Sequence, residues 1–248
     1  MKHLALLVLA AAMLPAQLRP PVLGYYRPAD GCWHEVRGIA GNFLSGPTAQ
    51  CGVQAGVSNG DLSLLAIDTG ELLLMNQQGE EVSRTLGSAS LLAVAPDSRS
   101  AAAWDPIAQR VSIWQSSAKA WQSYSLQSPV RALALDSNSL WLLQTDNTLQ
   151  QLALADLALL SQQTLPAGEG LLQLLPSGKA FWLAPDGLHT LDNQRNEIIT
   201  EAPASVTSLA PLGPSWWYAV DAAGQAWALH RHDSSWDWFL LPNGGSAE

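Results

Sequence analysis

The sequence predicts an all-β protein, a β-propeller of about five four-stranded antiparallel blades. Two observations carry this. Segments with one internal pattern recur at intervals of about 40 residues, the period expected of propeller blades. Within each segment, short apolar runs alternate with clusters of Pro, Asp, Asn, Ser and Gly, the signature of strands joined by tight turns.

The aligned segments are Val53–Asp68 (VQAGVSNGDLSLLAID), Leu91–Asp105 (LLAVAPDSRSAAAWD), Val130–Asp146 (VRALALDSNSLWLLQTD), Leu171–Asp186 (LLQLLPSGKAFWLAPD) and Val206–Asp221 (VTSLAPLGPSWWYAVD). Each gives an inner strand, a turn and a second apolar strand that closes on Asp. Third runs follow at Glu71–Met75, Arg110–Trp114, Leu149–Leu154, Gly187–Leu191 and Gln225–Leu229. Fourth runs lie at Glu81–Leu86, Trp121–Leu126, Leu159–Leu165, Glu197–Glu201 and Trp236–Leu241.

Runs such as LSLLAI and LWLL are apolar on both faces, which a strand tolerates only when its sheet is covered on both sides. Blades stacked around a ring meet that condition. Trp104, Trp141, Trp182 and Trp217 all fall in second strands, where large rings fill the wedge between blades. Trp121, Trp236 and Trp238 fall in outermost strands and are the better candidates for contacts. Leu149–Leu160 also fits a helix, because it is rich in Leu and Ala and lacks β-branched residues. The repeat register instead demands strand, turn at Ala155-Asp156, strand.

Residues 1–16 read as a signal peptide, with Lys2 and His3 before the apolar run Leu4–Leu14 and a small-residue cleavage point at Pro15-Ala16. A buried N-terminal helix is the alternative. The run is too short to span a bilayer, and no later segment is long and apolar enough. The expectation is a periplasmic or secreted bacterial protein with no membrane insertion after cleavage. Residues 17–51 form an extension, 52–242 the five blades and 243–248 a frayed tail. In the extension, Trp33–Ile39 either pairs with the fifth blade to close the ring or packs across one end of the channel. Cys32 and Cys51 are the only cysteines, and in an exported chain such a pair reads as a disulfide, with two buried thiols as the alternative.

Only 13% of residues are charged, and the formal net charge is −9. An acidic surface repels phosphate backbones, which argues against nucleic acid and anionic membranes as partners.

AVAPDSRSAAAWD and ALALDSNSLWLL resemble the repeat core of WD-repeat and related bacterial extracytoplasmic propellers. The resemblance spans nearly the whole mature chain and implies the fold. It departs from WD repeats in lacking the paired Gly-His and Trp-Asp motif in every unit: only Trp104-Asp105 shows the Trp-Asp dipeptide at the expected place. It does not choose among the hydrolases, lyases, dehydrogenases and binding scaffolds built on that fold.

The five closing aspartates, Asp68, Asp105, Asp146, Asp186 and Asp221, precede turn residues, so backbone capping outweighs a metal or acid–base role. Propeller enzymes act in the channel. The inner strands Val53–Val57, Leu91–Ala95, Val130–Ala134, Leu171–Leu175 and Val206–Ala210 contain no Asp, Glu or His. Glycoside hydrolysis needs two facing carboxylates, which leaves only loop acids such as Glu35, Asp97 or Glu169. The polar inner-strand residues Gln54, Arg131, Gln173, Thr207 and Ser208 are the candidate binding set, and Arg131 is the only charge among them. His230, His232 and Asp233 read as an exposed turn rather than a metal site. No cofactor motif is present. The expected function is a non-catalytic binding or scaffold module for a protein, small-molecule or glycan ligand. The alternative is an envelope enzyme acting on carbohydrate.

Overall fold

The computed structural model describes residues 22–241, apart from 29, 40–41, 165–170, 175–179, 185–186, 193–194, 202–205, 214 and 233–234. The leader and the tail lie outside the described residues. All regular elements among these residues are strands, and no helix is long and apolar enough to cross a membrane.

The N-terminal strands are β1 (Val22–Tyr26), β2 (Trp33–Ile39) and β3 (Asn42–Gln50). Blade 1 holds β4 (Val53–Ser58), β5 (Leu62–Ile67), β6 (Glu71–Asn76) and β7 (Glu81–Leu86). Blade 2 holds β8 (Leu91–Val94), β9 (Ser100–Asp105), β10 (Arg110–Gln115) and β11 (Ala120–Ser125). Blade 3 holds β12 (Val130–Leu135), β13 (Ser139–Gln144), β14 (Thr148–Ala153) and β15 (Leu159–Thr164). Blade 4 holds β16 (Leu171–Leu174), β17 (Ala180–Ala184), β18 (Gly187–Asp192) and β19 (Arg195–Thr200). Blade 5 holds β20 (Val206–Gly213), β21 (Trp216–Asp221), β22 (Ala226–His232) and β23 (Ser235–Leu240).

The result is a five-bladed propeller. Each four-stranded sheet runs in simple chain order with antiparallel neighbours. The inner strands β4, β8, β12, β16 and β20 touch in sequence, and β20 returns to β4. The ambiguous segment at 149–160 resolves into β14 and β15, because cross-strand pairing overrides the helix preference of Leu and Ala.

Strand β5 is buried along its whole length, as its two-faced apolar pattern predicts. Leu64, Leu72 and Leu74 of blade 1 pack on Val94, Ala101, Ala103 and Trp114 of blade 2. Trp104 of blade 2 is buried in the cluster that includes Leu133, Leu140 and Leu142 of blade 3. Trp217 is equally buried, Trp141 is half-buried, and the Trp182 side chain lies outside the described residues. Polar latches cross the same seams. Asn59, 6% exposed, donates to the Ala95 carbonyl at 2.6 Å and to Ser98 Oγ at 2.8 Å. Trp121 Nε1 donates to Ser83 Oγ at 3.1 Å, so this tryptophan is committed to the seam between blades 1 and 2.

The N-terminal segment differs from both expectations for it. Trp33–Ile39 makes no ladder with the fifth blade and does not lie across the channel. It pairs with β1 and β3 in a three-stranded sheet of its own. This sheet stands between blades 5 and 1. Alternation along β2 explains why: Trp33 joins Tyr25 against Val53, Leu65, Ile67, Leu73 and Met75 of blade 1. On the opposite face Val36 joins Tyr26 and Phe43 against Leu212, Trp216 and Ala228 of blade 5. The approach is close enough to require glycine twice. The Trp33 ring lies against Gly56, and the Leu212 carbonyl lies where a side chain of Gly24 would begin. Burial at the blade 5 seam pushes the Tyr218 hydroxyl pKa up to about 12. Cys32 and Cys51 form the expected disulfide across the two ends of the β2–β3 hairpin, 19 residues apart in sequence.

Three of the closing aspartates, Asp105, Asp146 and Asp221, cap turns. Asp221 accepts from the Trp227 indole N–H at 3.0 Å and from the Gln225 and Ala223 amides at 2.8 and 2.9 Å. Asp105 accepts from the Ile107 and Ala108 amides, both at 2.9 Å, and from the Ser88 hydroxyl at 3.0 Å. Asp146 accepts from the Thr148 amide at 2.9 Å. Asp186 lies outside the described residues. The Trp227 indole and the Gln225 amide hold the Asp221 carboxyl below the usual range. At Asp105, burial pushes upward but is outweighed by the Ala108, Ser88 and Ile107 donors.

Two predictions follow from this packing. A methyl group at Gly56 has no space beside the Trp33 ring, so Gly56→Ala lowers stability by about 1–3 kcal/mol, read from the urea midpoint. Carboxyls with depressed native pKa values stabilise the fold above their unfolded pKa of about 4, and that contribution is lost as pH falls through the native values. The melting temperature therefore declines below about pH 4. Asp221→Asn melts lower at pH 7 and shows a shallower acid decline; equal slopes for variant and parent contradict the capping role.

Candidate functional site

One end of the channel is marked by backbone bonds. The Asp68 amide donates to the Gly52 carbonyl at 2.8 Å, and the Thr145 amide to the Pro129 carbonyl at 3.2 Å. These bonds place the turn after the second strand beside the entry to the inner strand. The first residues of the inner strands and the capped turns therefore share one mouth of the ring.

The ladder breaks at the same step in three of those inner strands. In β4 the register shifts between Val53 and Ala55, which leaves Gln54 as the extra residue. In β12 it shifts between Val130 and Ala132, around Arg131. In β20 it shifts between Val206 and Ser208, around Thr207. A β-bulge re-aims the side chain of its extra residue and is over-represented beside functional sites. Three of the five predicted binding residues thus occupy equivalent bulges at one level of the mouth. Ser208 follows its bulge, opposite Val220. Gln173 pairs regularly with Phe181, without a bulge. Only the backbone is described for Gln173 and Ser208.

The three side chains differ in setting. Gln54 is exposed. Thr207 is exposed and its hydroxyl donates to the Val220 carbonyl at 3.1 Å. Arg131 is half-buried, and its Nη2 donates to Asn147 Oδ1 at 2.5 Å. Asn147 has a φ of 68°, a left-handed turn conformation that Asn tolerates. The guanidinium is thereby held toward the turn that follows Asp146. The mouth offers amide, hydroxyl and guanidinium groups, which suit recognition by hydrogen bonding. Arg27 was not among the expected residues. It is exposed beyond β1, and its Nη1 donates to the Val53 carbonyl at 2.6 Å, next to Gln54. No repeat covers that stretch, so the sequence carries no signal for it.

Two of the three acids named as loop carboxylates have hydrogen-bond partners in the structure. Glu35 is buried and accepts from Arg37 Nη2 at 2.6 Å and from Arg37 Nε at 2.7 Å. Asp97 accepts from the Arg99 amide at 3.1 Å. Glu169 lies outside the described residues. His230 stacks on Trp216 with ring centroids 4.0 Å apart, and burial, then the neighbouring His232, lowers its pKa. Asp233 lies outside the described residues. Among the described residues, one group of ligand-type side chains converges: Asp30, Cys32 and His34. Cys32 there is oxidised in the disulfide, so it provides no thiolate for a metal.

No family model matches the chain, and no curated protein matches it in sequence. Solved structures do match in shape. A chain of a crystallised nidogen/laminin complex superposes with a TM-score of 0.61 at 12% identity, covering 87% of this chain and 92% of that one. The structure of U3-55K superposes with a TM-score of 0.50 at 11% identity, covering 75% and 81% respectively. At such identities the likeness is one of fold: this chain is similar to both in being built as a β-propeller.

Proposed function

We propose that the chain is an exported, non-catalytic binding module of a bacterial envelope that holds its ligand at this mouth. The observation that carries the reading is the set of equivalent bulges at Gln54, Arg131 and Thr207. A bulge sacrifices regular pairing, and its repetition at one level converts three backbone irregularities into one ring of polar side chains. Three further features support export and binding. Leu4–Leu14 has the length of a signal-peptide core. The Cys32–Cys51 disulfide suits an oxidising compartment. A propeller fold suits a scaffold, and one structural neighbour comes from a complex of two proteins. The ligand is a protein segment or a glycan with hydrogen-bonding groups, since the mouth side chains offer both donors and acceptors.

The test is crosslinking and recovery of the mature protein from its native envelope. A specific partner is expected. Combined Gln54→Ala, Arg131→Ala and Thr207→Ala substitution should reduce its recovery about tenfold or more, with the far-UV spectrum unchanged, because central polar contacts carry a disproportionate share of binding energy. Undiminished recovery with the triple variant counts against the mouth as the site. Turnover of a glycan by the purified protein counts against the non-catalytic reading.

A further inference from the structure

We infer that the outer edge of blade 3, strand β15, is a self-association surface that pairs antiparallel with a second copy of this chain about a two-fold axis near Gln162. Every outermost strand of a propeller presents unpaired backbone groups, and proteins ordinarily guard such edges with charge, proline or distortion. The edges of this ring are guarded unequally. Strand β3 contains Pro47. Strand β7 carries Glu81 and Arg84, and Arg84 bridges Glu71 at 2.8 Å and Glu81 at 2.9 Å. Strand β19 contains Arg195 and Glu197, and β23 contains Asp237. Strand β11 has no charge, but Lys119 precedes it and it exposes no large apolar side chain.

Strand β15, LLSQQT, has neither charge nor proline, and Leu159 and Leu160 are each 56% exposed. A bulge beside Leu160 is its one irregularity, and Ser161–Thr164 beyond it pairs regularly with β14. Its neighbour β14, TLQQLA, is also uncharged.

Charge identifies the occupant. Two copies of a chain with net charge −9 repel over most of their surfaces. An uncharged edge is where they approach at the lowest Coulomb cost. Side-chain bonding then sets the register. Gln144 Nε2 donates to Gln150 Oε1 at 2.9 Å, and Gln150 Nε2 donates to Gln162 Oε1 at 3.2 Å. This ladder crosses the blade outward and ends at the edge, where Gln162 keeps its NH2 donors. Amide ladders of this kind reinforce strand pairing. With the axis at Gln162, that residue faces Gln162 of the partner subunit, which continues the ladder into the second blade. Ser161 then faces Gln163 of the partner subunit, and Leu160 faces Thr164 of the partner subunit. Pairing of one short strand buries less than the roughly 1,200 Å² of a stable interface, so the dimer is weak and concentration-dependent, forming in the range of about 10–1,000 µM.

Sedimentation velocity of the mature chain tests this. The expected result is a monomer–dimer equilibrium that stops at two, because isologous pairing is closed. Salt should strengthen it, since the screening length falls from about 30 Å at 0.01 M to about 8 Å at 0.15 M. Gln162→Lys, which sets two lysines directly opposite each other across the axis, and, separately, Ser161→Lys, which sets them on the near diagonal, should weaken dimerisation at least about tenfold. Val82→Lys, on the guarded edge β7, should leave it unchanged. Far-UV spectra establish that each variant is folded. Gln162→Cys should form an intermolecular disulfide under oxidation. A monomer at 1 mM (about the upper limit above), association without limit, weakening by salt, or a dimer indifferent to both lysine variants would each overturn the inference.

Discussion

The constraint on which this molecule depends is that its sheets are apolar on both faces. Strand β5 shows no exposed side chain in six consecutive residues. Such a sheet needs a neighbour on each side, and a linear stack would leave two wet faces at its ends. Bending the stack into a ring brings those ends together. In this chain the end faces do not meet each other directly across their full width. The N-terminal sheet stands between them, with Trp33 and Tyr25 on blade 1 and Val36, Phe43 and Tyr26 on blade 5.

That choice changes what holds the ring closed. Among the described residues, no hydrogen-bonded ladder joins the N-terminal sheet to blade 5 or to blade 1. Closure rests on apolar packing and on backbone approaches that admit only glycine, Gly24 at one seam and Gly56 at the other. Directional bonds enter as single ties: Arg27 to the Val53 carbonyl, and the Tyr25 hydroxyl to the Gln77 carbonyl at 2.8 Å. The disulfide fastens the β2–β3 hairpin at the point where the chain passes into blade 1. Closing a loop of about 20 residues is worth about 3 kcal/mol in the chain-entropy account, a substantial fraction of the total stability of a domain.

The blades were legible in the sequence because two independent signals coincide there. Turn residues punctuate the chain, and two-faced apolar runs lie between them. What escaped has local causes. The N-terminal sheet has strands of unequal length, and β3 contains Gly46 and Pro47, which disguise it as loop. Its membership in the ring depends on faces of Trp33 and Val36 that become complementary only against blades distant in sequence. The aligned aspartates also proved not to be strictly equivalent. The Asp68 amide bonds back to Gly52, whereas in blade 3 it is Thr145, one residue before Asp146, that bonds back to Pro129. In blade 5 Asp221 itself pairs with Val206. A one-residue drift of this kind leaves the composition unchanged and moves the capping group. The candidate residues Gln54, Arg131 and Thr207 were visible as polar breaks in apolar strands, but their common basis in bulges is a matter of register, which composition does not encode.

Those bulges show how a repeated backbone acquires a non-repeated site. An extra residue inside a sheet would strand a backbone amide or carbonyl away from water, at a cost of about 1–3 kcal/mol. The inner strand has one edge paired with the second strand and the other turned to the channel, so the displaced groups reach solvent and that penalty is largely avoided. The bulge is therefore tolerated where the blade meets the mouth and would be disfavoured one strand further out. Strands β5, β9 and β13, buried between neighbours, pair through their central residues without a shift on the side facing the third strand. The side chains at the inner bulges are an amide, a guanidinium and a hydroxyl: Gln54 and Thr207 are exposed, and Arg131 is half-buried against the turn that carries Asn147. Fold symmetry fixes the positions, and their place at the mouth, outside the apolar seams between blades, allows the chemistry to differ from blade to blade.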